Sequence, residues 1–71
     1  MIIYINTDFI KLDQLIKYAG IVESGSRAKE LILTGNVLVN NCSCIQRGKK
    51  IYPDDIICIK EFEEITVKKE I

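Results

Sequence analysis

Four apolar residues, Leu12, Leu15, Ile16 and Ala19, fall at i, i+3, i+4 and i+7, and no other pattern in the chain restricts its fold as tightly. That spacing lines them up along one stripe of an amphipathic helix. Asp13 in its first turn suits the helix dipole, and Gly20 supplies the stop. A second, shorter repeat follows in Ala28, Leu31 and Ile32, at i, i+3 and i+4. Ser24-Gly25-Ser26 offers capping hydroxyls ahead of it, with either serine able to serve, and Gly35 stands where a helix commonly turns left-handed to end. Two helices with apolar stripes toward one core are therefore expected.

The flanking segments change period. Met1-Ile2-Ile3-Tyr4-Ile5 is β-branched and aromatic and reads as a short strand, with Asn6-Thr7-Asp8 as a turn. Val37-Leu38-Val39 is a strand, Asn40-Asn41 a tight turn because asparagine tolerates positive φ, and Cys44-Ile45 the start of the returning strand. Arg47-Gly48-Lys49-Lys50 reads as a basic loop and Tyr52-Pro53-Asp54-Asp55 as a second turn. Ile56-Ile57-Cys58-Ile59 is expected to be a buried strand, and Ile65-Thr66-Val67 is a candidate last strand beside the first. The order β-α-α-β-β-β, with room for one more strand, is an α+β fold in a single domain spanning residues 1–71.

Composition removes several function classes. The chain has no histidine, so the usual base for a nucleophilic serine or cysteine is missing, and neither a P-loop nor a G-x-G-x-x-G run occurs. Asp54-Asp55 reads as a turn former rather than a catalytic pair. No enzymatic activity and no cofactor are expected. Cys42, Cys44 and Cys58 are an odd number of thiols, which argues against a disulfide framework. A tetrahedral zinc site would need a carboxylate or a second chain to complete it, so no metal is expected either. No apolar run approaches the length of a membrane span and no signal peptide is visible, which gives the cytoplasm as the expected compartment.

The net charge is zero, but its distribution is uneven. Residues 1–50 hold seven basic and four acidic residues, net +3, and residues 51–71 hold three basic and six acidic, net −3. This suggests a dipolar molecule with one face suited to phosphates. Arg27 and Lys29 are expected in the first turn of the second helix, whose N-terminus behind Ser24 and Ser26 favours anions. Arg47, Lys49 and Lys50 form a second cluster on a loop, and a hairpin folded over the helices would let both clusters flank one groove. Such a surface suits structured RNA, read by charge and shape. Lysine and arginine clusters are also common solubilising groups on small domains, so the pattern alone leaves both readings open.

The order of these signals resembles the S-four RNA-binding domain family, also called the αL motif. The resemblance is carried by Leu12-Asp13 with Leu15-Ile16, Gly20-Ile21-Val22 with Ser24, Arg27-Ala28-Lys29 with Leu31-Ile32, Gly35 with Val37 and Val39-Asn40, and Pro53 with Asp55 and Ile57. It covers about residues 10–60. It implies two packed helices against a small, bent, mostly antiparallel sheet, with RNA held by the start of the second helix and the hairpin after it. Carried over by position, it implies RNA contacts at Lys11, Ser24, Ser26, Arg27, Lys29 and Asn40, beside the Arg47, Lys49 and Lys50 cluster. Gly25 stands where the family often has arginine, while Asn41 and Asp54 stand where it usually has glycine. The chain is most similar to very short stand-alone members, for which the implied role is assembly or maturation of the large ribosomal subunit. The expected partner is ribosomal RNA or a ribosomal particle, met by a monomer. Two other classes compete: a β-grasp sulfur carrier, which lacks its C-terminal Gly-Gly here because the chain ends Lys69-Glu70-Ile71, and a protein-interaction module using the acidic last third.

Overall fold

The first apolar stripe becomes α1, Leu12–Tyr18, in a computed structural model that describes residues 1–71. Leu12, Leu15 and Ile16 are wholly buried on its inner face. The chain leaves α1 through a pair of crossed carbonyl contacts: Gly20 donates its N–H to Lys17 at 3.0 Å and Ile21 donates to Ile16 at 3.3 Å. This 5→2 and 6→1 pairing requires a left-handed residue, and Gly20 supplies it at φ +78°. The second stripe becomes α2, Gly25–Leu33, which packs on α1 through Ala28 and Ile32. Ser24 is the cap, its hydroxyl accepting the Arg27 N–H at 3.3 Å, which leaves Ser26 free. Gly35, at φ +81°, ends α2 as expected.

The strands are β1 (Ile2–Ile5), β2 (Ile10–Lys11), β3 (Val37–Val39), β4 (Cys42–Ser43), β5 (Lys50–Ile51), β6 (Ile56–Ile59) and β7 (Ile65–Lys69). Five of them form one sheet in the order β1-β7-β6-β3-β4, with β1 parallel to β7 and every other pair antiparallel. The last strand thus lies beside the first, Ile3 opposite Val67. A separate two-stranded ladder pairs β2 with β5, Ile10 opposite Ile51 and Lys11 opposite Lys50. The fold is α+β, with both helices and a mixed sheet closing over one core of fourteen residues, all apolar. No helix is long and apolar enough to cross a membrane.

Three expectations need correction. The returning strand begins at Cys42, two residues before Cys44, because Asn40 and Asn41 both adopt positive φ (+50° and +69°) and reverse the chain in a two-residue turn that pairs Val39 with Cys42 directly. Cys44 follows the strand and is buried. The strand Ile56–Ile59 is buried on one face only: Ile57 and Ile59 point into the core while Ile56 is exposed, the alternation of a sheet with one wet face. Lys50 does not belong to a loop but to the β2–β5 ladder.

Candidate nucleic-acid interface

The basic cluster is assembled by a gap in helix capping. The residue before α1 is Lys11, whose side chain makes no capping bond, so the first N–H groups of the helix need acceptors from elsewhere. The segment around residue 48 provides them. Leu12 donates its N–H to the Lys49 carbonyl at 2.9 Å, and Asp13 donates to the Arg47 carbonyl at 3.0 Å. Those two bonds fasten the basic segment onto the start of α1, and the β2–β5 ladder continues the attachment by setting Lys11 opposite Lys50. Lys11, Arg47, Lys49 and Lys50 are thereby gathered at one end of α1, and all four are exposed.

This end carries four basic residues and one acidic residue, Asp13 in the first turn of α1. Like charges directly opposite on a ladder repel, and Lys11 and Lys50 occupy such positions. The ion pairs of the protein join Arg27 to Glu30, Lys68 to Asp54, Lys69 to Asp8, and the N-terminus to Glu63. None involves the four cluster residues. Lys50 instead sits over the Phe9 ring, 4.9 Å from its centre, and Phe9 meets Tyr52 at 5.9 Å between centroids. A cation over an aromatic face keeps its charge and offers no competing anion. The division into a basic and an acidic part of the chain is partly mixed in space, since Lys68 and Lys69 neutralise Asp54 and Asp8. Four of the basic side chains that enter no ion pair, Lys11, Arg47, Lys49 and Lys50, are at the start of α1; Lys17, Lys29 and Lys60 are also unpaired and lie apart from them.

The remaining residues expected to contact RNA lie elsewhere. Ser24 and Ser26 flank the start of α2, with the Ser24 hydroxyl occupied as its cap. Arg27 is in the first turn, but Lys29 is one position into the second, because the helix already begins at Gly25. Arg27 is 3.9 Å from Glu30 and lines a shallow cleft with Leu31 and Phe62, whereas Lys49 lines a different one with Cys42 and Ile45. Arg27 and Lys49 thus line separate clefts. Asn40 is bound into the fold on both sides of its amide: Oδ1 accepts the Ile56 N–H at 2.9 Å and Nδ2 donates to Asp55 Oδ1 at 3.0 Å. The other oxygen of Asp55 accepts the Tyr52 N–H at 2.8 Å, closing the Tyr52–Asp55 turn. The Val-Asn and Pro-x-Asp signatures are thus two halves of one latch between the hairpin and the turn.

The departures from glycine have a matching explanation. Asn41 and Asp54 both hold positive φ, +69° and +78°, the region for which asparagine and aspartate are the best substitutes for glycine. Residue patterns do not reveal the β2–β5 ladder or the role of Phe9. The one signal for them is the absence of a Ser, Thr, Asp or Asn cap before Leu12.

No group of three or more His, Cys, Asp or Glu side chains is arranged to hold a metal ion. A family model described as S4 domain matches residues 3–68. The chain is also similar to a probable ribosome maturation protein, RlbA, of Bacillus subtilis (strain 168), at 37% identity over 65 residues that cover 92% of each chain. With a match across nearly its whole length, paired helices and a latched hairpin, the chain belongs to the S4 domain family.

Proposed function

We propose that this chain is a non-enzymatic RNA-binding factor that engages structured ribosomal RNA and acts as a monomer in maturation of the large ribosomal subunit. The observation that carries the reading is the gathering of Lys11, Arg47, Lys49 and Lys50 at the start of α1 with no carboxylate paired to any of them. Like-charged residues held opposite each other weaken a ladder unless an anion joins them, and a phosphate backbone is such an anion. Ser26, Arg27 and Lys29 at the start of α2 form a second contact region, separate from the cluster, in keeping with the αL arrangement of helices followed by a hairpin. Ser24 contributes by capping that helix, and Asn40 by fixing the hairpin. Similarity to a ribosome maturation protein supports the ribosomal partner. Family membership sets aside the β-grasp carrier.

The test is RNA affinity as a function of salt. Replacing Lys49 and Lys50 by alanine removes two phosphate contacts and lowers the slope of log K against log salt by roughly 1.5, at ~0.7–0.9 per contact. An unchanged slope refutes the assignment of the cluster. Co-sedimentation with large-subunit precursors at low salt supports the ribosomal role, and protein found only at the top of the gradient favours an interaction module instead.

A further inference from the structure

Two exposed aromatic rings, one on β1 and one at the far end of α1, have no role in the core. Tyr4 on β1 is 55% exposed and Tyr18, the last residue of α1, is 65% exposed. Both line an open cleft of about 300 Å³ together with Asn6, Thr7, Gln14 and Glu70. The floor is held in place, since Lys69 reaches the Thr7 carbonyl at 3.2 Å and Asp8 at 3.5 Å, and Glu70 donates its N–H to Ile5 at 2.7 Å. The Thr7 hydroxyl donates to the Phe9 carbonyl, but the side chains of Asn6, Gln14 and Glu70 enter no intramolecular hydrogen bond or ion pair.

We propose that this cleft accepts an unstacked nucleobase carrying an exocyclic amino group, as adenine and cytosine do. The proposal rests on the RNA-binding function proposed for the basic cluster. The chemistry favours a base over other ligands. Phenol rings provide faces on which any base stacks. Two free amides provide donors and acceptors for a base edge, and the Glu70 carboxylate accepts from an amino group, which uracil lacks. No lysine or arginine lines the cleft, so it does not suit a phosphate or an acidic peptide. Its position is continuous with the basic cluster. Gln14 and Tyr18 are spaced i and i+4 on one face of α1, and Lys11 is the extended residue immediately before that helix. The two ends of α1, Leu12 beside the cluster and Tyr18 in the cleft, are about 9 Å apart along the axis at ~1.5 Å rise per residue. A strand whose phosphates lie on Lys11 and Lys50 can turn a neighbouring base into the cleft.

Fluorescence anisotropy with labelled oligo(A), oligo(C) and oligo(U) of equal length tests this, using the full chain and a Tyr4→Thr/Tyr18→Gln variant. Both substitutions are at exposed positions, and far-UV circular dichroism checks that the variant folds. The expected result is about a ten-fold loss of affinity for oligo(A) and oligo(C), the size of one lost base stack, with the salt slope unchanged because no phosphate contact is removed. Glu70→Ala, which removes the acceptor, is expected to erase the preference over oligo(U). Equal affinity of the native chain and the tyrosine variant, with salt-dependent binding kept in both, overturns the base cleft and leaves the basic cluster standing. A native dimer that the tyrosine substitutions convert to monomer overturns it in favour of a second copy on this face. Absence of binding by the native chain to any of these RNAs and to ribosomal RNA removes both readings.

Discussion

The latch centred on Asn40 permits a quantitative test of what that residue does. Asn40→Ala removes two side-chain hydrogen bonds, Oδ1 from the Ile56 N–H and Nδ2 to Asp55. Each contributes about 0.5–1.5 kcal/mol net, toward the lower part of that range at a solvent-facing site. The backbone at φ +50° adds about 1 kcal/mol, because alanine in the left-handed region lacks the local polar contact that asparagine makes. The sum is about 2–3 kcal/mol. A chain of 71 residues has roughly 4–11 kcal/mol in total at ~0.05–0.15 per residue, so the loss is a large fraction. At ~4–8 °C per kcal/mol for a domain of this size, Tm falls by about 10–20 °C. Thermal denaturation followed by circular dichroism measures it. Asn40→Gly separates the two contributions: it restores the backbone region without the bonds and recovers about 1 kcal/mol of the loss. A Tm change under about 2 °C in Asn40→Ala refutes the latch. A loss of RNA affinity with unchanged Tm reassigns Asn40 to direct RNA contact.

Two further outcomes are expected. A β-carbon at Gly25, the first residue of α2, meets no atom within 4 Å, so Gly25→Arg is accommodated sterically. Its helix gain of at most about 1 kcal/mol is offset by a basic charge at a helix N-terminus, ~0.3–1 kcal/mol, leaving Tm nearly unchanged while the salt slope for ribosomal RNA steepens by roughly 0.7–0.9; an unaltered slope shows that the start of α2 does not face phosphate. The Cys58 thiol is pushed above its ordinary pKa by partial burial first, then by its hydrogen bond to Glu64 and that carboxylate's charge, so less of it is thiolate at mildly alkaline pH and the exposed Cys42 is alkylated first in a timed iodoacetamide reaction read by mass spectrometry. Equal labelling of the two refutes the Glu64 contact.

The elements that local chemistry dictates are legible in the residue order. Leu12, Leu15 and Ile16 form a helix because a 3.6-residue period buries all three at once, and Gly20 and Gly35 end helices because both adopt positive φ. The Asn40-Asn41 turn is legible for the same reason, although the returning strand starts two residues earlier than residue type suggests. Its start depends on where the ladder closes, and residue type does not reveal that. The basic cluster is legible only in fragments. Lys11 and the Arg47–Lys50 segment are about forty residues apart in the chain, and nothing in their spacing shows that two carbonyls of one cap the helix that follows the other.

The amino-acid order by itself determined the periodicities, the turn positions and the unequal distribution of charge, because each depends on residues within a few positions of one another. Tertiary structure alone decided which charges stay unpaired. Lys68 and Lys69 lie on the strand that docks beside β1 and find Asp54 and Asp8 there, while Lys11 and Lys50 are brought face to face without an anion. Ion pairing depends on distance in space, and that distance is set only when the helices, the ladder and the sheet close over a common core.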